Sequence, residues 1–103
     1  MQTQVYSIDE IREIVVPIAK QHGVDKVFLF GSYARGDATP ASDVDLCVDA
    51  PKLRGLFALG GLYADLEDAL KKSIDVVTTG SLKYNKDFLE NLRKDRVLLY
   101  ELS

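Results

Sequence analysis

The chain has 103 residues, enough for one domain, spanning 1–103, that buries roughly 60–65% of the surface its unfolded form exposes. Apolar residues make up 47% and charged residues 28%, and 13 basic against 16 acidic side chains leave a net charge of -3. That balance disfavours bulk nucleic-acid binding, which relies on clustered Lys and Arg. No apolar run approaches the roughly 20 residues of a membrane span, and the start MQTQVYSIDEI lacks the basic and apolar blocks of a signal peptide. Cys47 is the single cysteine, which excludes a disulfide framework and a Cys-based zinc site. A cytoplasmic enzyme or interaction protein fits these totals.

Ser7 is a good N-cap, and Glu10 three residues later completes a capping box. Ile8, Ile11, Ile14, Val15, Ile18 and Ala19 recur at helical spacing up to a stop at Gly23. Pro17 inside that pattern predicts a kink or a split into two pieces. His22 falls near the helix C-terminus, where a surface or capping role suits it better than a metal role. Lys26 to Phe30 reads as a strand apolar enough to be buried on both faces. Ser32 to Arg35 is one or two helical turns closed by Gly36, and Asp37 to Ser42, with Pro40, is a loop.

Asp43 to Val48 reads as the second strand, ended by Pro51. Leu59, Leu62, Leu66, Ala69 and Leu70 mark a further helix within Leu53–Leu70. Gly60-Gly61 interrupts it, at about 2 kcal/mol relative to two alanines in a helix interior. The pair predicts a helix starting after the glycines, close packing against the sheet, or a flap beside the site. Ser73 to Thr78 is a third strand, with Ile74 and Val76 on one face and Asp75 and Val77 on the other. Thr79-Gly80-Ser81 turns the chain, Asn85 caps a last helix through Phe88, Leu89 and Leu92, and Val97 to Tyr100 is a final strand. Alternating helices and strands predict a two-layer α/β (α+β) domain.

The chemistry is concentrated between Gly31 and Leu46, GSYARGDATPASDVDL. Two carboxylates one residue apart on a strand, Asp43 and Asp45, point to the same face, while Val44, Leu46 and Val48 point into a core. With the second and third strands as neighbours, Asp75 joins them. Three like charges at close range raise at least one pKa unless a cation joins them. Oxygen ligands without His or Cys suit magnesium or manganese, and a two-metal site is a common solution for nucleotidyl transfer. In that arrangement Asp43 and Asp45 bridge two ions and Asp75 holds the one that activates the attacking hydroxyl. Gly31 and the helix starting at Ser32 offer close backbone approach and free amides to a triphosphate. Neither GxxxxGK[ST] nor GxGxxG occurs. Taken singly, each of these residues also reads as solvated surface or a turn, and Arg35 as a salt-bridge partner of Asp37. Cys47 shares the Asp45 face as a small packing residue.

Gly31-Ser32, Arg35-Gly36 and Ser42-Asp43-x-Asp45-Leu46, followed by Ile74-Asp75-Val76, resemble the polymerase-beta-type nucleotidyltransferase superfamily. The short length and the full GSxARGxxxxxSDxDL form resemble its minimal nucleotidyltransferase (MNT) proteins, across nearly the whole chain. The resemblance implies a small mixed sheet flanked by helices, with the site on the open face. It implies transfer of AMP from ATP to a hydroxyl with release of pyrophosphate. Asp43, Asp45 and Asp75 match the metal-binding and catalytic carboxylates, with Mg2+ (two ions) or Mn2+ as cofactor. Gly31 and Ser32 match phosphate-binding positions, with Arg35 and Ser42 as further motif positions on the nucleotide-phosphate side, and with a partner surface as the alternative role for Arg35. MNT proteins are typically paired with a helical HEPN toxin, so the chain resembles an antitoxin that transfers AMP to a tyrosine of its partner. Two other readings stay open: an antitoxin or accessory subunit that neutralises its partner by binding alone, and a nucleotidyltransferase for a small molecule such as an antibiotic. Tyr33 and Tyr63 are candidates for base stacking or self-modification, against plain packing.

Overall fold

The computed structural model describes residues 5–51, 53, 55–78 and 96–102. The turn expected at 79–81 and the helix expected through Phe88, Leu89 and Leu92 lie outside them. The elements run α1 (Ile8–His22), β1 (Lys26–Phe30), α2 (Ser32–Arg35), β2 (Val44–Asp49), α3 (Gly55–Leu70), β3 (Ile74–Thr78) and β4 (Val97–Glu101). The strands form one mixed sheet in the order β3-β2-β1-β4. β1 lies antiparallel to β2 and β4, while β2 and β3 are parallel, the geometry that a helical crossover such as α3 provides.

α1 starts as its sequence dictates. The Ser7 side chain accepts from the Glu10 amide, and the Glu10 carboxylate accepts from the Ser7 amide. Gly23 ends it in the left-handed conformation at φ 74°. The helix runs through Pro17 as one element and is not split. Pro17 and Glu13, whose carbonyl loses its helical donor there, are both exposed, so water can reach the freed group. On the opposite side Ile11, Val15 and Ala19 are buried and hold both halves of the helix on the core.

α3 begins at Gly55 and passes through Gly60 and Gly61, so the helix does not wait until after the glycines. Leu62, Leu66 and Leu70 are buried at i, i+4 and i+8, and that stripe outweighs the local propensity loss. Nor are both glycines closely packed: a Cβ on Gly60 would meet nothing within 4 Å, and one on Gly61 would meet only His22 Cε1, at 3.7 Å. His22 Nε2 lies 2.6 Å from Asp65 Oδ2 and ties the end of α1 to α3. Two phenols brace the same layer, Tyr6 donating to the Leu70 carbonyl and Tyr63 to that of Ile74, each at 2.7 Å.

The helices cover one face of the sheet. Val27, Leu29, Val44, Leu46, Val48, Ile74 and Leu99 meet α1 and α3 there in a single core. The other face carries Phe28, Phe30, Cys47 and Val77 around a small half-buried cluster, with the Arg96 guanidinium 4.8 Å from the Phe28 ring centroid. β1 is therefore buried on one face only, against the expectation of two, because both long helices pack on the Val27 and Leu29 side. Among the described residues, no helix is long and apolar enough to cross a membrane.

Candidate active site on the open face of the sheet

The site begins where β1 ends. Gly31 has φ 76°, a region open to glycine at little cost, and caps the single turn of α2. A Cβ built on it would collide with Asp45 Oδ2 and lie 3.2 Å from Asp45 Cγ. Glycine is thus required twice, by backbone conformation and by the close approach of a carboxylate. The latter was not visible in the sequence, where a bound phosphate alone accounted for Gly31.

α2 is closed by the Arg35 amide on the Gly31 carbonyl at 3.1 Å and by the Gly36 and Asp37 amides on the Ser32 carbonyl at 3.0 Å. The first amides of such a turn have no partner within it. Tyr33 anchors the turn in the core at 3% exposure. Ser32 is half-buried beside it.

β2 starts at Val44, not at Asp43, where the Val44 amide donates to the Ser73 carbonyl at 3.1 Å. Asp43 is exposed and enters the site from the approach to the strand, one residue outside the ladder. Asp45 is half-buried on the open face, in register with Phe30 on one side and with Asp75 on the other. Asp75 is exposed. The carboxyl of Asp45 is pushed above the usual carboxylate range, chiefly by burial, then by the charges of Asp75 and Asp43. Arg35 opposes that rise. Asp45 thus responds electrostatically to both other aspartates.

Not every candidate converges equally. Arg35 is exposed, and its Nε donates to Asp37 Oδ2 at 3.4 Å. The Ser42 hydroxyl accepts from the Thr39 amide at 2.8 Å, and the Ser42 amide donates to the Thr39 carbonyl at 2.9 Å. Its side chain therefore shapes the loop ahead of Asp43. Tyr33 packs in the core and the Tyr63 hydroxyl is engaged by Ile74, so packing accounts for both.

Among the described residues, no three acidic, His or Cys side chains close into a metal cage. The donor set nonetheless fits a hard divalent cation of the magnesium type. Such ions bind through one or two carboxylates and complete their shell with water and substrate phosphates. A cation at Asp45 would also discharge the repulsion that raises its pKa.

One residue escaped the sequence reading. Lys72 is only 8% exposed, and its Nζ donates to the Pro40 carbonyl at 2.8 Å. Continuing the alternation of β3 backwards from buried Ile74 places Lys72 on the same inward side, a signal that the polar pair Lys71-Lys72 hid.

Residues 8–99 match the nucleotidyltransferase domain family. A Methanocaldococcus jannaschii protein, provisionally named protein adenylyltransferase MJ0435, is 37% identical over 89% of this chain and 91% of its own length. The protein adenylyltransferase MntA of Thermococcus cleftensis is 36% identical over 75% of this chain and 82% of its own length. The fold is also that of a chain in the solved complex of a tri-AMPylated Shewanella oneidensis HEPN toxin with an MNT antitoxin. That likeness has a TM-score of 0.69 at 18% identity, over 92% of this chain and 73% of the other.

Proposed function

This chain belongs to the nucleotidyltransferase domain family, and from that premise we propose that it is a protein adenylyltransferase and antitoxin. It transfers AMP from ATP to a tyrosine hydroxyl of a HEPN-type toxin. The observation that carries this reading is Asp45, seated against Gly31, opposite Asp75 and within the field of Asp43. The relatives named as adenylyltransferases support the donor and the protein acceptor. The fold shared with a chain of the HEPN–MNT complex supports the partner.

In this reading Gly31 and Ser32 receive the triphosphate, with Arg35 near enough to Asp45 to influence its charge. Asp43 and Asp45 would hold Mg2+ or Mn2+, which when bound would supply positive charge to offset the negative charge developing on the phosphates in the transition state. Asp75 would complete the carboxylate set for the cation from the exposed edge of the sheet, where an incoming hydroxyl can reach it. The tyrosine oxygen forms a bond to the α-phosphorus as the bond from that phosphorus to the β-phosphate bridging oxygen breaks. Pyrophosphate leaves with the electron pair, and the hydroxyl proton passes to Asp75 and then to solvent. A bulky AMP anion on the toxin then obstructs its active surface by charge and volume.

The test uses ATP labelled at the α-phosphate, magnesium, this protein and the product of the adjacent gene. Label is expected on the partner and should vanish when Asp43 and Asp45 are both changed to Ala. A stable complex without label on either protein would overturn transfer and leave neutralisation by binding.

A further inference from the structure

We infer that Lys72 is a positioning residue for Asp43, acting through the loop that delivers this carboxylate to the site. The inference rests on the reading of Asp43 as a cation ligand given above. Asp43 lies one residue outside β2, so the ladder does not fix its backbone; Val44 is the first residue that the sheet holds. What precedes Asp43 is a turn closed on itself by Thr39 and Ser42. Ala38 packs on the core just ahead of this turn, but the turn's own bonds do not hold its Pro40 side, and a tie from outside is needed there.

Lys72 supplies that tie. It follows Lys71, whose backbone is left-handed at φ 55° and turns the chain inward after α3. Lys72 is buried, and its Nζ reaches the carbonyl of Pro40, inside the turn. Lysine is almost never fully buried without a partner, because its polar tip loses water. Here the tip lies 6.0 Å from the centroid of Tyr33, the residue that anchors α2, and the bond to Pro40 repays part of the lost hydration. One residue later, Ser73 accepts from the Val44 amide. The segment 72–73 therefore grips the chain on both sides of Asp43, at Pro40 by a side chain and at Val44 by the backbone. A cleft of about 240 Å³ remains between Asp43, Ser42, Lys71 and Lys72, so the turn has room to shift if the tie is cut.

Partners that orient a metal ligand without touching the metal typically change affinity or activity 10–100-fold when removed. Lys72→Met keeps the stem and removes the donor; Lys72→Arg keeps a donor. Two readouts need no partner protein: amide exchange at 42–44 in the free protein, and manganese binding in the presence of a non-hydrolysable ATP analogue, followed by electron paramagnetic resonance. With Lys72→Met, exchange at 42–44 should accelerate and manganese should bind about tenfold more weakly, while Lys72→Arg should restore most of both. A purely structural lysine would lower the melting temperature yet leave manganese affinity unchanged well below it, and that result overturns the inference. Should Lys72→Met fail to fold, Lys72→Gln, too short to reach Pro40, replaces it under the same criteria. Failure of the wild type to bind manganese with the analogue would sink the nucleotidyltransfer reading, and exchange at 42–44 would still decide whether Lys72 holds the loop.

Discussion

The two faces of β2 are written into alternate residues of one six-residue strand, and they behave as opposites. Val44, Leu46 and Val48 are fully buried against α1 and α3, each inside a continuous core. Asp45 lies on the opposite face, partly buried beside two other negative charges, in a position unfavourable to the folded chain alone. One face holds the molecule together, and the other stores the charge repulsion that a cation would relieve. Stability and chemistry are therefore separable here at a spacing of one residue, and substitutions on the two faces should differ in kind as well as in size.

Asp45→Asn sharpens this contrast most. Removing the charge should reduce transfer on the order of 10³-fold, about 4 kcal/mol in barrier, measured with the labelled-ATP assay. The same change should raise the melting temperature of the protein without nucleotide. The sign follows from the raised pKa: stability from protonating Asp45 is fully present below the ordinary carboxylate value and is lost as pH rises through the folded value. At neutral pH the ionised form is the less stable one, and Asn removes it. Without metal or nucleotide, the stabilisation by Asp45→Asn should accordingly be largest at neutral pH and shrink as pH falls through the raised titration range of Asp45. A variant that loses both activity and stability would break the contrast.

Leu46→Ala should do the reverse. Leu46 is fully buried at the centre of the sheet, and the cavity left should cost about 3 kcal/mol by denaturant titration. Where enough folded protein remains, kcat should stay within a few-fold of wild type.

Gly31→Ala crosses the boundary between the faces. Its φ of 76° disfavours any side chain, and the new methyl would displace the Asp45 carboxylate. A stability loss of about 2 kcal/mol is expected together with weakened metal binding, measurable by thermal melts and manganese titration. Loss of stability with metal affinity intact would mean that Asp45 can find another position, and that the contact with Gly31 is incidental to the site.

Much of this layout was legible because its signals are local. The capping box at Ser7 and Glu10, the stop at Gly23, the limits of β1 and the turn from Ser32 to Arg35 follow from short-range rules. Gly31, Asp45 and Asp75 stood out because glycine after an apolar run and carboxylates within one are locally anomalous. What was hidden depends on distant contacts. Gly60 and Gly61 remain helical because Leu62, Leu66 and Leu70 are buried around them. Asp43 stands outside β2 because the Ser73 carbonyl engages Val44 first. Lys72 reads as surface until the fold brings Pro40 to its amine. Propensity carries none of these, since each is decided by a residue ten or more positions away or by burial of a whole helix face.

The smallest effect tests the turn that joins the two faces. Lys71 is the one non-glycine residue with positive φ among the described residues, and it sits between the last buried leucine of α3 and the inward-facing Lys72. A side chain at φ 55° pays a steric penalty that glycine avoids, though glycine also gains freedom in the unfolded chain. The first effect should outweigh the second, so Lys71→Gly is expected to stabilise the protein by about 0.5–1 kcal/mol in denaturant titrations. Activity should stay unchanged, since the backbone path into Lys72 is preserved. Destabilisation instead would mean that the Lys71 side chain is itself a contact of the fold, and the strain at this turn would then serve to place that side chain as well as to direct Lys72 inward.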